Sequence, residues 1–453
     1  MDTIAAIATP PGEGALGMVR VSGGDAVEAV SDMTKPPLRE TLQARKAVKV
    51  VVFDDEGPID EAVAVHYPAE SSPTGEDLVE LTLHGSPYIL QRTLFRALKR
   101  VRLAAPGEFT QRAYLAGKLD LAQAEAVCSL IRARTETAHR SALRQLSGGL
   151  SQAVRACREP LLEVLVRIEA CLDHPEEDIA SLSPPEAAAS LEAARAPIAR
   201  LAETFALGRL AGEGARLALV GRPNAGKSSL LNALLGRERA IVCPEPGTTR
   251  DTLEEPSEIG GLPAVLVDTA GLREDCADAA EREGVSRAEA ALENCDAAVL
   301  VVDGARAPTE EDARLHARIV ESARKRGTPL VAALNKADLG RAWDGAALPR
   351  TVAVSARFGT GLEELKRALA ETLGAGGDRE PVLVTSARHA QALRRAADEM
   401  TLAAEAAVTL GGRWEDRAAC HLREALRQLG LILGEGAPDE TLHAVFARFC
   451  VGK

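Results

Sequence analysis

Aromatic residues are scarce in this chain, with two Trp, three Tyr and seven Phe among 453 residues. Alanine is abundant instead, which suits a helix-rich soluble protein. No apolar run approaches the roughly 18 residues needed to cross a bilayer as a helix, so a membrane-spanning helix is excluded. An excess of basic charge is also lacking. The formal net charge of −12 argues against a broad non-specific nucleic-acid clamp and leaves room only for a local basic patch. The eight cysteines are scattered and form no Cys-x-x-Cys pair. With no leader-like stretch either, the expected compartment is a reducing cytoplasm. At this length the chain is expected to hold more than one domain.

What is present is organised around Gly221-Arg222-Pro223-Asn224-Ala225-Gly226-Lys227-Ser228-Ser229. The apolar run Arg216–Val220 ahead of it reads as a strand, and Leu230–Leu235 behind it opens a helix. Strand, G-x-x-x-x-G-K-S and helix is the order a phosphate-binding loop requires. Glycines let the backbone wrap an anion, while the N–H groups and the helix N-terminus supply fixed positive potential. In that geometry Lys227 reaches the β- and γ-phosphates and the Ser228 hydroxyl ligates Mg²⁺.

Ahead of this loop, period-two runs predict strands over Asp2–Thr9, Ala15–Val21, Ala47–Phe53, Glu61–Tyr67 and Leu78–Leu83. Ser86-Pro87 predicts a helix running to about Lys99. Residues 1–118 therefore read as a compact α+β module. Helical spacing follows over Leu119–Arg134, Glu136–Gly148, Leu150–Leu172 and one helix from Pro185 to Arg209. It returns over Ser386–Leu410 and Glu415–Leu433, after the glycine-rich seam Gly374–Gly377. Neither flank looks self-sufficient. The expectation is one helical domain, residues 119–213 and 376–453, interrupted by a nucleotide domain over 214–375.

Within that insert, supporting motifs stand at strand ends in one order. Ala264–Asp268 leads into Thr269-Ala270-Gly271, placing a carboxylate to hold Mg²⁺ through water and an amide to sense a γ-phosphate. Leu330–Leu334 ends in Asn335-Lys336-Ala337-Asp338. The Asp338 carboxylate suits guanine N1–H and its 2-amino group, a donor pair adenine lacks, so the expected nucleotide is GTP. Ser355-Ala356-Arg357 offers backbone donors to guanine O6. Gly247-Thr248-Thr249 supplies Thr249 as a second hydroxyl ligand to Mg²⁺. The order of motifs predicts a doubly wound, mostly parallel sheet with its ligand at the strand C-termini. Leu272 follows Gly271 and cannot orient an attacking water, so that task must fall elsewhere. The loop Ile241–Pro246, with Asn224, has the carbonyls to hold a monovalent cation near the β/γ-bridge.

With these motifs, the chain resembles the MnmE (TrmE) family of tRNA-modifying GTPases over essentially its full length. The resemblance includes Asp2-Thr3-Ile4, Ala8-Thr9-Pro10-Pro11-Gly12, Gly75-Glu76-Asp77 and Lys118-Leu119-Asp120-Leu121-Ala122-Gln123-Ala124-Glu125-Ala126. It also includes the terminal Phe449-Cys450-Val451-Gly452-Lys453, which other bacterial GTPases with a similar G domain lack. The family implies a multidomain α/β plus α architecture: a folate-binding, dimerising N-terminal domain, a helical bundle and an inserted P-loop G domain. It implies that Arg20, Glu80, Lys118 and Lys453 bind a 5-formyltetrahydrofolate-type ligand, with Cys450 as the candidate catalytic thiol. It implies K⁺ held by Asn224, the carbonyls of Cys243 and Glu245, and Thr248, so that Cys243, Pro244, Glu245, Pro246 and Gly247 line the nucleotide. Water would be oriented by Glu281, within Glu281-Arg282-Glu283-Gly284, with Glu283 the nearest rival. It also implies a homodimer and an MnmG-like flavoprotein partner that carries FAD in a heterotetramer or larger complex. Together they would modify carbon 5 of wobble uridine in tRNA. Two other readings stay open: a ribosome-assembly GTPase, for which no basic Gly-x-x-Gly module follows the G domain, and a purely mechanical switch with all covalent chemistry in the partner.

Overall fold

The computed structural model describes residues 2–41, 43–173, 183–236, 254–268, 289–374, 384–409 and 414–453. Its backbone divides into two compact units. One comprises Met1–Ile131, Gln145–Leu182 and Leu410–Lys453, the other Arg132–Arg144 and Ser183–Thr409.

The first unit opens with a seven-stranded sheet of β1 (Ile4–Ile7), β2 (Gly14–Ser22), β3 (Thr34–Lys35), β4 (Ala47–Asp54), β5 (Gly57–Tyr67), β6 (Leu78–Gly85) and β7 (Arg102–Leu103), in the order β3-β4-β5-β6-β2-β1-β7. All neighbours are antiparallel except β1 and β7. The alternation read from sequence sorts the side chains onto two faces. Ala5, Val19, Val21, Val50, Val52, Val79 and Leu81 bury beside helices α1 (Ala26–Ser31) and α3 (Pro87–Ala97), with α2 (Leu38–Thr41) at one side. Ile4, Ala6 and Leu78 face the other way, onto Phe109 of α4 (Glu108–Leu115). The two-residue strands β3 and β7 are too short to carry a periodicity and have no counterpart in the sequence pattern. The chain continues through α5 (Leu121–Arg132), contributes α6 (Glu136–Leu146) largely to the second unit, and returns to the first with α7 (Gly149–Asp173).

In the second unit, α8 (Pro184–Glu203) and α9 (Phe205–Glu213) lead to β8 (Ala215–Val220) and α10 (Lys227–Leu235). Then come β9 (Glu254–Ile259), β10 (Leu262–Asp268), β11 (Ala297–Asp303), α11 (Glu310–Arg326), β12 (Leu330–Asn335), β13 (Thr351–Ala353), α12 (Leu362–Thr372) and α13 (Ala387–Thr409). The sheet order is β13-β12-β11-β8-β10-β9, parallel except for β9. Adjacent residues bury on opposite faces: Leu217 and Leu219 toward α10 and α12, Ala218 and Val220 toward α11. The sheet is therefore covered on both faces, as parallel sheets require.

The single helix expected over Pro185–Arg209 is two helices, and the reason is long-range. Thr204 ends α8, and its Oγ1 accepts from the Val384 N–H at 3.1 Å. A Cβ on Gly208 would meet the Val384 carbonyl oxygen at 2.3 Å. The chain re-enters the unit's helical layer against α9 and then forms α13. Ala390, Leu393, Ala396, Met400 and Ala403 of α13 are buried, and α13 packs along α8. Back in the first unit, α14 (Trp414–Leu433) packs along α7, and α15 (Asp439–Phe446) precedes the C-terminal residues.

Candidate functional site

The phosphate-type loop occupies the expected place, between the C-terminal end of β8 and the N-terminus of α10. Its backbone dictates its glycines. Gly221 has φ +143° and a Cβ there would lie 2.3 Å from the Val301 carbonyl oxygen. Gly226 has φ +92°, and a Cβ would collide with Asn335 Nδ2 at 2.2 Å. Such a bare-backbone cradle, opening into a helix N-terminus, fits a phosphate group. Asn224 also takes a positive φ, +63°, which asparagine tolerates better than most residues. Lys227 Nζ donates to the carbonyls of Gly221 at 3.0 Å and Arg222 at 2.9 Å, holding the ammonium across the loop. Ser228 lies in the first turn of α10, beside Ser229.

Asn335, at the end of β12, ties three segments together. Its Nδ2 donates to the Ala225 carbonyl at 3.0 Å, and its Oδ1 accepts from the Ala356 N–H at 3.0 Å. The loop, the Asn335-Lys336-Ala337-Asp338 turn and Ser355-Ala356-Arg357 thus converge at the C-terminal edge of the sheet. Lys336, at φ +64°, donates from Nζ to Asp303 Oδ2 at 2.7 Å. The Ser355 hydroxyl donates to Asp338 Oδ1 at 2.6 Å, fixing a carboxylate that is otherwise exposed. Sequence reasoning assigned Ser355 only through its backbone and missed this orienting hydroxyl. Asp268 ends β10. Cys243, Pro244, Glu245, Pro246, Gly247, Thr248, Thr249, Thr269, Ala270, Gly271, Glu281 and Glu283 lie outside the described residues.

Beside the loop is a cavity of about 480 Å³ lined by Arg222, Asn224, Asp303, Arg306, Asp312 and Lys336, among others. Asp312 was not singled out from sequence. Burial pushes its carboxyl up, but hydrogen bonds from Arg222 and Thr309 more than reverse this and hold it well below the carboxylate range. His316, one turn on, is pushed down by burial and stacks on Trp343.

A second assembly gathers within the first unit. Arg20 on β2 lies opposite Glu80 on β6 and donates to Glu80 Oε1 from Nε at 3.0 Å and Nη2 at 2.6 Å. Its Nη1 also reaches the Gly452 carbonyl at 3.4 Å. The C-terminal residues dock on this domain: the Phe109 N–H donates to the Lys453 main-chain oxygen at 3.1 Å, and Gly452 abuts the Ile7 carbonyl so closely that a Cβ would lie 2.3 Å from it. Phe446 and Phe449 anchor the segment beside Tyr114, Leu121 and Ala124, leaving Cys450 exposed. The structure thus brings Arg20, Glu80 and the Cys450–Lys453 segment together. Lys118 instead donates from Nζ to the Glu70 carbonyl at 2.9 Å, in the loop beside Gly75. Sequence reasoning missed Arg112, which is 3% exposed and paired with Glu76, Glu108 and Asp2.

Comparison with known proteins now adds to this geometry. The family described as "GTP-binding protein TrmE N-terminus" matches residues 3–118, and the one described as "MnmE helical domain" matches residues 121–450. The chain belongs to the MnmE (TrmE) family. Its relatives include the "tRNA modification GTPase MnmE" of Aquifex aeolicus, 43% identical over 463 residues and covering 100% of both chains. The MnmE of Thermus thermophilus is 44% identical over 456 residues, covering 100% of this chain and 99% of its own. Among solved structures, the G domain of the T. maritima FeoB iron transporter aligns at 27% identity over 35% of this chain and 98% of that one, with a TM-score of 0.26. Among the described residues of this MnmE-family chain, no helix is long and apolar enough to cross a membrane.

Proposed function

We propose that this chain couples GTP hydrolysis to tRNA modification. It is a GTP hydrolase and a tRNA modification GTPase of the MnmE type, and its substrates are accordingly GTP and tRNA. The observation that carries the nucleotide assignment is the Asn335 tie, which holds the phosphate-type loop and the two base-recognition segments in one constellation. The loop amides and Lys227 bind the phosphates. The Asp338 carboxylate, oriented by Ser355, selects guanine. Ser228 in the first turn of α10 and Thr249 are the hydroxyls that would hold Mg²⁺, which supplies charge neutralisation at the β- and γ-oxygens when bound. Asp268 orients that shell.

The finer reading continues from there. Asn224, with the carbonyls of Cys243 and Glu245 and with Thr248, would hold K⁺, which would supply the positive charge an arginine finger otherwise gives, and Glu281 would orient the attacking water. Two copies of the chain supply the paired G domains. Arg20, Glu80, Lys118 and Lys453 bind a 5-formyltetrahydrofolate-type one-carbon donor, with the Cys450 thiol exposed beside the docked C-terminus. An MnmG-like flavoprotein brings FAD, and the pair adds an aminomethyl-type group to C5 of wobble uridine in the cytoplasm. The Arg20–Glu80 pair touching the Gly452 carbonyl supports grouping Arg20, Glu80 and the C-terminal segment as one site.

The test is GTP hydrolysis in KCl against matched NaCl over a protein concentration series. Stimulation by K⁺ that rises with protein concentration and vanishes in Asn224→Ala is the expected result. Equal rates in both salts would remove K⁺ from the reading. Cys450→Ser then separates chemistry from switching: loss of modification with hydrolysis intact supports a thiol role, and full modification assigns the covalent chemistry to the partner.

A further inference from the structure

Arg222, in the loop between Gly221 and Pro223, sends its side chain away from the phosphate cradle to α11. Its Nη1 donates to Asp312 Oδ1 at 2.5 Å and its Nη2 to Glu311 Oε2 at 3.3 Å. Asp312 is 3% exposed, and its other oxygen closes a capping box, accepting from Thr309 N at 2.9 Å and Thr309 Oγ1 at 2.8 Å. The acceptor is therefore fixed in place by the helix start rather than by the loop. Hydrogen bonds from Arg222 and Thr309 keep it ionised through the neutral range against the opposing effect of burial. At the other end, the Arg222 carbonyl accepts from Lys227 Nζ, and Pro223 removes a rotatable φ. Position 222 is held by side chain and backbone at once. Two residues on, Asn224 adopts its positive φ and lines the same cavity of about 480 Å³ as Arg222 and Asp312. Close approaches hold the loop at Gly221 and Gly226, while between them Arg222 borders this open space and is spanned by the ion pair to α11.

We infer that Asp312 is a positioning residue: acting through Arg222, it braces the phosphate-type loop against α11 and sets where Asn224 is presented. This rests on the proposed GTPase reading, in which Asn224 ligates the activating cation. Asp312 touches neither nucleotide nor cation, and acts on them through the loop. Small displacements of such ligands are costly, and packed and charged networks carry coupling to a distant site.

The experiment compares Asp312→Asn, Arg222→Gln, the conservative Asp312→Glu and Thr309→Ala in the full-length protein, reading melting temperature, GTP KM, kcat and the K⁺ concentration for half-maximal hydrolysis. Asp312→Asn keeps a cap acceptor while removing the charge; Thr309→Ala weakens the cap and leaves the ion pair. The expected result is a roughly tenfold rise in half-activating K⁺ for Asp312→Asn and Arg222→Gln. GTP KM stays within about twofold, Asp312→Glu restores part of the effect, and Thr309→Ala changes only the melting temperature. Half-activating K⁺ unchanged in both ion-pair variants, or shifted equally by Thr309→Ala, overturns the inference. Should Asp312→Asn fail to fold, Arg222→Gln, on a partly exposed side chain, reads the same brace from the loop end. Should the wild type prove indifferent to K⁺, the cation reading fails separately. The brace is then judged on kcat alone, where a roughly tenfold fall with KM and Thr309→Ala unchanged supports it and an unchanged kcat overturns it.

Discussion

Lys227 and Asp338 carry opposite charges at the two ends of the nucleotide site, and each is held in place before any ligand contact is made. Lys227 bridges the Gly221 and Arg222 carbonyls, and Asp338 accepts from the Ser355 hydroxyl. A charged hydrogen bond is worth about 1.5–3 kcal/mol, so Lys227→Ala should weaken GTP binding by roughly tenfold to a hundredfold. Fluorescent-nucleotide titration checks this. Asp338→Asn exchanges a carboxylate acceptor for an amide. Guanine N1–H and its amine then lose their acceptor, while xanthine, with a carbonyl in place of that amine, gains a donor partner. Competition between GTP and xanthosine triphosphate should reverse in favour of the latter. Retention of GTP preference would move base recognition to other residues.

Element-scale stability turns on one close approach between residues far apart in sequence and on one buried carboxylate. Gly208 and Gly212 both sit in α9, yet only Gly208 is pressed against another segment. An added Cβ at Gly208 would lie 2.3 Å from the Val384 carbonyl oxygen, whereas at Gly212 the nearest atom is at 3.7 Å. Gly208→Ala should destabilise by about 1–3 kcal/mol through overpacking. Gly212→Ala should stabilise by about 0.4–1 kcal/mol through the unfolded chain. Thermal melts of the two variants should therefore shift in opposite directions. In α4, burial raises the Glu108 carboxyl, but hydrogen bonds from Arg102, the Ala105 N–H and Arg112 bring it from 4.5 down to about 2. A depressed carboxylate contributes stability that is complete above its unfolded value and is lost as pH falls toward its folded one. Acid unfolding of the N-terminal sheet should set in between pH 4.5 and about 2. Arg102→Gln should move its midpoint upward when circular dichroism is followed against pH.

At the scale of the whole molecule, the net charge of −12 must be reconciled with an RNA substrate. A chain this acidic can meet tRNA only through a local patch with few phosphate contacts. Two contacts imply a loss of affinity of about tenfold between 50 and 200 mM salt. Titration of tRNA against this chain alone, over that salt range, measures the slope directly. A fall of about a thousandfold or more would require six or more contacts and an extensive basic face.

Much of this was legible in one dimension because its causes are local. Period-two alternation located β2, β4, β5 and β6, the Ser86-Pro87 start located α3, and the glycine spacing of residues 221–226 announced the anion cradle. The order of strand-end motifs likewise implied a parallel sheet covered on both faces. Other features belong to contacts between residues far apart along the chain, which no local pattern encodes. Thr204 and Gly208 split a continuous helical pattern because Val384 returns to that spot. Arg112 carries no signal in the sequence pattern, and its role emerges only where Glu76, Glu108 and Asp2 enclose it. Arg222 reads as a variable loop position until α11 presents Asp312. Backbone propensity and side-chain alternation therefore determined the elements and the chemistry of the phosphate loop. Only tertiary packing decided which charges are buried in pairs, because a buried ion persists only where a distant partner compensates its desolvation.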